Sequence, residues 1–521
     1  MSGSPHHRRN TVRIAAVVAL GGFLFGFDAS VISGVVTYII PEFSLNELKV
    51  GLVVGAPTLA GIAAGLLAGP TADFIGRKKV LLILAALYTI SALGSAFAPN
   101  YQTLVAARAI GGFAFASLGI APMYIAEIAP HERREFLVSF NQFNIMIGFS
   151  VAYFANYFVL QLSQSSFTWV EALGIDRHAW RWMLGLEILP ASIWLAGLLF
   201  IPETPRWLAL NGGIERARAV LAGIRPRERV ETTLREILAS GGDAGRSLAA
   251  RLGEVLSPKL RLPILIGITV GVFQQVTGIN AVYFYAPTIF EQSGVGTNAA
   301  FAQATLIGIT NIVFTIAAML LIDRLGRKPL LLIGLLGIVV SMGIAGHGFQ
   351  QATYQLDEAG IEQLSQSIDR AALEPLAGIQ YDNDLDFKRA AEAVLGAQQA
   401  RNHQAALIEA AIQVNPTIIL IGILGFVASF ALSLGPVMWV LFSEIFPNRV
   451  RGVALGITSV FNSASSFVVQ FVFPWELANL GNAMTFYIFA ALGIIGLLLI
   501  AWLLPETKGK SLEELEGLLA R

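Results

Sequence analysis

Apolar residues along this 521-residue chain come in long unbroken runs rather than in the alternation of a half-buried strand or the stripe of a surface helix. Runs of about 20 residues, enough to carry a helix across about 30 Å of hydrocarbon, lie near 14–40, 50–72, 79–98, 103–126, 136–160, 182–201, 262–288, 299–322, 330–349, 416–440, 452–473 and 484–504. The pattern predicts twelve membrane helices. Two polar stretches interrupt it. The first, 203–262, holds the amphipathic pieces Ile214 to Leu221 and Ser247 to Leu256, which read as short helices at the membrane surface. The second, 350–415, is rich in Ala, Gln and acids and reads as helical from Lys388 to Gln413. A connection of that length far exceeds the roughly 2 to 8 residues usual between packed helices. It reads as an inserted helical element or as a functional cap.

Three polar signatures occur twice, in one order, between the apolar runs. Asp73-Phe-Ile-Gly-Arg77-Lys78-Lys79 returns as Asp323-Arg-Leu-Gly-Arg327-Lys328-Pro329. Glu127-Ile-Ala-Pro130 with Arg134 returns as Glu444-Ile-Phe-Pro447 with Arg451, and Pro202-Glu203-Thr204 returns as Pro505-Glu506-Thr507. The expected architecture is therefore an all-α membrane protein of two pseudo-symmetric six-helix bundles. They span 1–202 and 263–505, joined by a cytoplasmic linker at 203–262 and followed by a tail at 506–521. Duplicated halves that rock about a site held between them are a recurrent design of secondary transporters. The repeat points to transport.

Composition and charge sharpen this. With 55% hydrophobic and 13% charged residues, the chain carries more apolar surface than a water-soluble core could hide. The net charge of +0 argues against nucleic-acid binding, so the placement of the basic residues says more than their sum. Most of the 35 lysines and arginines fall on the loops that share a side with the N-terminus. Lys49, Arg177, Arg181, Arg370, Lys388, Arg389 and Arg401 face the other side. The positive-inside rule then places both ends in the cytoplasm and the 350–415 insertion outside. The first run is long and carries Asp28 in its middle, so it reads as a retained span rather than a cleaved signal. The absence of cysteine excludes disulfides, thiolate metal sites and cysteine nucleophiles.

Polar residues inside the runs are the candidates for chemistry. Gly61, Gly65 and Gly69 share one helical face and predict a close helix contact. The Gly-Arg turns suit helix ends at the cytoplasmic surface, where Gly permits a tight reversal and cations stay out of hydrocarbon. They read either as topology anchors or as a gate, in which Arg77, Glu127, Arg134, Glu203 and Arg206 of one half and Arg327, Glu444 and Arg451 of the other form ion pairs that break on opening. The seventh run contains Gln274, Gln275, Gly278, Asn280, Tyr283 and Tyr285. Amides donate and accept, as sugar hydroxyls do, and are costly in a span unless they face a wet cavity or pair between helices. Gln142, Asn311, Trp439 and Asn462 join this set, since aromatic faces with amides are how a neutral sugar is commonly held. Asp28, charged in hydrocarbon, would cost about 2.5 to 3.5 kcal/mol and needs a partner or a proton. A contact with Arg108 reads as a proton carrier if it changes between conformations, and otherwise as a structural pair.

The signatures Gly76-Arg77-Lys78, Pro202-Glu203-Thr204-Pro205-Arg206, Gln274-Gln275-x-x-Gly278-x-Asn280, Gly435-Pro436-x-x-Trp439 and Pro505-Glu506-Thr507-Lys508-Gly509 carry a family resemblance. The chain resembles the sugar porters of the major facilitator superfamily over nearly its whole length apart from the insertion, and is most similar to bacterial xylose/proton symporters and glucose facilitators. The resemblance implies the major facilitator fold and sugar contacts at Gln142, Gln274, Gln275, Asn280, Asn311, Trp439 and Asn462, with Phe25 and Tyr283 lining the cavity. It also implies that Asp28 and Arg108 form the proton-coupling pair, because facilitative relatives typically carry Asn at the position of Asp28. Ser463 stands where relatives commonly carry Trp, Ser466 where an Asn is common, and Phe149 where the xylose symporters have a second Gln. The resemblance thus carries the substrate class and leaves the particular sugar open.

The expectation is a transporter that imports a monosaccharide with a proton by alternating access, acts as a monomer in the cell membrane, and uses no cofactor or metal. The alternatives are a facilitative uniporter and a sugar sensor. A sensor would favour long tails, whereas this chain ends soon after Ser511-Leu-Glu-Glu514, a capped short helix. No phosphate loop or metal-ligand cluster points to an enzyme.

Overall fold

The computed structural model describes residues 5–130, 133–240, 253–447, 450–508 and 514. Twelve helices in it are long and apolar enough to cross a membrane. Spans 1 to 6 are His7–Gly34, Glu47–Ile75, Arg77–Ala96, Tyr101–Ile128, Phe136–Ser163 and Ala179–Leu199. Spans 7 to 12 are Pro258–Phe284, Gly296–Leu325, Arg327–Gln350, Pro416–Ile445, Arg451–Asn479 and Asn482–Leu503. Each overlaps one apolar run, displaced by a few residues where polar end turns continue the helix. The sequence repeat is a structural repeat as well. Span 3 packs on spans 4 and 6, and span 9 on spans 10 and 12.

The repeated signatures build one turn twice. Gly76 and Gly326 sit at φ +103° and +95°, and a Cβ on either would lie 2.3 Å and 2.9 Å from the carboxyl groups of Glu203 and Glu506. Glycine is required here by both conformation and space. The backbone N–H groups of Arg77 and Lys78 donate to Glu203, and those of Arg327 and Lys328 to Glu506, all at 3.0–3.1 Å. A carboxylate at the otherwise unpaired N–H groups of a helix start satisfies them and complements the helix dipole. Lys78 Nζ reaches the carbonyl of Leu199, and Lys328 Nζ that of Ala501. Each Pro-Glu-Thr segment thereby ties the end of its sixth helix to the third.

The expected glycine seam on span 2 is only partly present. Gly61 lies against Gly112 and Phe115, but Gly65 and Gly69 have nothing within 4 Å. Spans 1 and 5 also approach closely, where a Cβ on Gly26 would meet the carbonyl of Ile145 at 2.0 Å and one on Gly148 that of Phe23 at 2.1 Å. These two glycines come from different spans, so no four-residue spacing announces them.

In the 203–262 stretch, helices Pro205–Leu210, Ile214–Ile224 and Arg227–Ser240 form, and the second matches the amphipathic piece read from the sequence. Residues 247–252 of the other expected piece lie outside the described residues, as do 511–513 of the expected final helix.

The insertion is a small α/β subdomain. Strand β1 (Thr353–Gln355) pairs antiparallel with β2 (Gln380–Tyr381) and β3 (Ile412–Gln413). The helical stretch expected at Lys388–Gln413 is broken into Asp384–Leu395, Ala397–Asn402 and Gln404–Ala411, with Gly396 at φ +83°, and it closes in β3. A core of its own, with Tyr354, Leu356, Phe387, Leu407 and Ile408, holds it together.

Contacts gather the chain into two compact units. One comprises Met1–Ala29, Ala56–Ala152 and Leu184–Gly253, the other Ser30–Gly55, Tyr153–Met183 and Glu254–Arg521. The partition cuts across the first six spans rather than following the sequence halves. The ends of spans 1, 2 and 5 on the insertion's face pack in one unit with spans 7–12.

Candidate functional site

Span 7 ends its first helical stretch, Arg261–Val276, just before Gly278, whose φ is +98°, and resumes as Ile279–Phe284. A Cβ at Gly278 would stand 2.8 Å from the Phe489 ring, so the break admits no side chain. The break lets Asn280 swing back beside Gln275. Asn280 Nδ2 donates to Gln275 Oε1 at 2.7 Å and to Ser466 Oγ at 2.5 Å. Gln275 Nε2 donates to Gln274 Oε1 and Asn462 Oδ1, and Asn462 Nδ2 donates to Gln274 Oε1 at 2.7 Å and to the carbonyl of Gly271 at 2.8 Å. Gln274 Nε2 closes the set on the carbonyl of Leu434. Four residues expected from the sequence are thus one buried network between spans 7 and 11.

Ser466 and Gln470 extend it, with Gln470 Nε2 donating to Ser466 Oγ at 2.7 Å. Neither was expected. The signal was available, since Asn462, Ser466 and Gln470 recur every four residues and so share one helical face.

Asn311 on span 8 is buried, 8% exposed. Trp439 on span 10 keeps 46% exposure, its ring edge-on to Phe442. The Tyr283 ring meets Phe430 edge-on, and its carbonyl accepts from Tyr153 Oη at 2.6 Å. In the other unit, Phe25 packs edge-on against Phe115 and Phe149, and Gln142 is exposed.

Asp28 and Arg108 meet as expected. Arg108 Nη1 lies 2.5 Å from Asp28 Oδ1, with side chains 2% and 1% exposed. Glu187 of span 6 joins them, buried, within hydrogen-bonding reach of Asp28 and close to the Arg108 guanidinium. Asp28 Oδ2 and Glu187 Oε1 lack a hydrogen-bond donor among the described residues. One cation therefore faces two acids, and the acids can bond each other only if one carries a proton. Glu187 was missed although an acid inside the sixth apolar run signals as strongly as Asp28 does in the first.

The signature residues on the Gly-Arg face form matched pairs within each half. Arg77 reaches Glu127 at 3.2 Å and Asp73 at 2.7 Å, and Arg327 reaches Glu444 at 2.7 Å and Asp323 at 3.2 Å. Thr507 Oγ1 donates to the second oxygen of Glu444. Arg451 Nε donates to the carbonyl of Phe446. Arg134 and Arg206 are exposed and make no ion pair among the described residues, though Arg206 lies near enough to Glu127 to attract it.

A model of the family described as "Sugar (and other) transporter" matches residues 14–362 and 393–519. The D-xylose-proton symporter of Escherichia coli is 33% identical over 97% of this chain and 95% of its own length. The arabinose-proton symporter of Bacillus subtilis is 32% identical over 98% and 96%. The inward-open conformation of the xylose transporter XylE from Escherichia coli superposes with a TM-score of 0.73 at 30% identity, covering 97% of this chain and 99% of that one. Family and relatives are transporters and not enzymes, and twelve spans with matched half-turns agree with them. The chain belongs to the sugar transporter family of the major facilitator superfamily and is a multi-pass membrane protein.

Proposed function

We propose that this transporter imports a monosaccharide together with a proton by alternating access, working as a monomer with both ends in the cytoplasm. The observation that carries the proton is the buried cluster of Arg108 with Asp28 and Glu187. With both acids ionised the cluster holds a net charge of −1 in a buried setting, and one bound proton makes it neutral. Buried charge is costly, so the loaded and unloaded clusters favour different surroundings. Such a difference is what a coupling ion needs to bias two conformations. The proton-symporter relatives support the same reading.

The amide network supplies the sugar side. Its members donate and accept among themselves, and a ring of hydroxyls offers the same pairing when it displaces some of these bonds. Asn311 and the face of Trp439 complete the expected contacts. The paired turns with Arg77, Glu127, Arg327 and Glu444 hold the helix ends of each half together, and the gate is proposed to form between these two belts. One proton crossing 100 mV supplies about 2.3 kcal/mol, enough for about forty-fold accumulation. Monosaccharide added to proteoliposomes should therefore draw protons in. Sugar uptake with no proton movement would make the protein a facilitator.

A further inference from the structure

Glu291 is a buried acid that neither the sugar nor the proton site uses. It ends the helix Ala286–Glu291, beyond the membrane part of span 7 and beneath the inserted subdomain. Its Oε2 accepts from Thr37 Oγ1 of the helix Val36–Phe43 at 3.2 Å, while Oε1 has no hydrogen-bond partner among the described residues. Thr288 Oγ1, three residues earlier on the same helix, is likewise buried without a partner. The groups facing the carboxyl are Thr37 and Tyr38 from the end of span 1, Thr297 from the start of span 8, and Glu409 from the subdomain helix Gln404–Ala411. No cation is among them.

The subdomain grips the same region. Arg401 pairs with Glu47 at the start of span 2 at 3.3 Å, and the helix Ala397–Asn402 packs on Val36–Phe43. A Cβ on Gly294 would strike Ile412, and one on Gly296 would strike Glu409. On its other flank, Lys388 donates to the carbonyl of Leu477, and Asp384 accepts from the Asn482 backbone. Residues 363–392, which carry Asp384 and Lys388, lie outside the family match, whereas Arg401, Glu409 and Ile412 lie within it.

We propose that Glu291 is a second proton-binding site, remote from Asp28, whose occupancy sets how firmly the inserted subdomain holds the outer ends of spans 1 and 2 shut. The inference rests on the alternating-access reading, in which span 1 parts from span 7 on the outer side. Parting would give Glu291 to water. In the closed arrangement burial, and secondarily Glu409, push its carboxyl up to about 7 from the ordinary 4.5. Tyr38 is pushed up to about 12 by burial and by Glu291, and stays neutral throughout. Burial also raises Glu409. The closed form thus binds a proton more tightly than the open one. Its advantage is complete below about pH 4.5 and is lost as pH rises toward 7, by at most about tenfold in the closed-to-open ratio per pH unit.

The test uses Ser33→Cys in the otherwise cysteine-free chain. Ser33 is buried in the turn Ile32–Gly34, which packs on Ala286–Glu291. In intact cells, labelling by a membrane-impermeant maleimide is followed from external pH 5 to 8, with Glu291→Gln in the same background cancelling the intrinsic reactivity of the thiol. The expected result is a labelling rate in the Glu291 protein that climbs with pH above that of Glu291→Gln, which stays closed. Equal curves overturn the proposal. If Glu291→Gln fails to reach the membrane, Glu409→Gln decides: removing the neighbouring charge should move the midpoint to lower pH, and an unmoved midpoint overturns the link to the subdomain. The curves require no sugar. Failure of monosaccharide counterflow in proteoliposomes would defeat the transport reading, and is read separately from these curves.

Discussion

At the scale of single residues, the amide network makes its members unequal. Gln275 touches Gln274, Asn280 and Asn462 at once, so Gln275→Ala should weaken sugar binding by about 1 to 2 kcal/mol. Unchanged affinity in purified protein for every transported sugar would remove it from the site. Trp439→Ala should also lower affinity through lost stacking, since its ring is half-exposed. Glu187 yields a sharper expectation. Glu187→Gln removes one of the two acids facing Arg108, so uphill accumulation should fall while exchange between equal sugar concentrations persists. Loss of both modes together would make Glu187 a packing residue.

At the scale of elements, the two Gly-Arg turns are the same device used twice, and they should fail in the same way. Gly326→Ala places a Cβ 2.9 Å from Glu506 at a backbone angle of +95°, which should cost about 1 to 3 kcal/mol and lower the thermal midpoint. A variant as stable as the parent would contradict the strain. Glu444→Gln leaves Arg327 with the exposed Asp323 as its ion-pair partner among the described residues, and should shift the resting population toward inward-facing states. Equal labelling of a cysteine engineered into the cytoplasmic cavity, with and without the change, would reduce the belt to an anchor.

Much of this was legible because hydrocarbon imposes long apolar runs and because the turns repeat their charged residues. The insertion was not. Its strands are two or three residues long and its helices are cut at Gly396 and His403, so no periodicity survives long enough to be read. The close approach of spans 1 and 5 at Gly26 and Gly148 was hidden too, since packing between distant spans leaves no local spacing. Ser466 and Glu187 each carried a readable signal, the four-residue spacing from Asn462 and an acid inside an apolar run.

At the scale of the whole molecule, the central claim is that one chain couples two gradients: a proton held among Asp28, Arg108 and Glu187, and a sugar held by the amides of spans 7 and 11. Neither site alone produces accumulation. Asp28→Asn separates them, because a neutral amide of the same shape cannot switch charge while the amide network is untouched. The deciding measurement is monosaccharide uptake in proteoliposomes under an imposed inward proton gradient, run beside exchange at equal concentrations. Wild type should concentrate sugar, and Asp28→Asn should exchange it without concentrating it; an Asp28→Asn variant that still concentrates sugar would contradict the account.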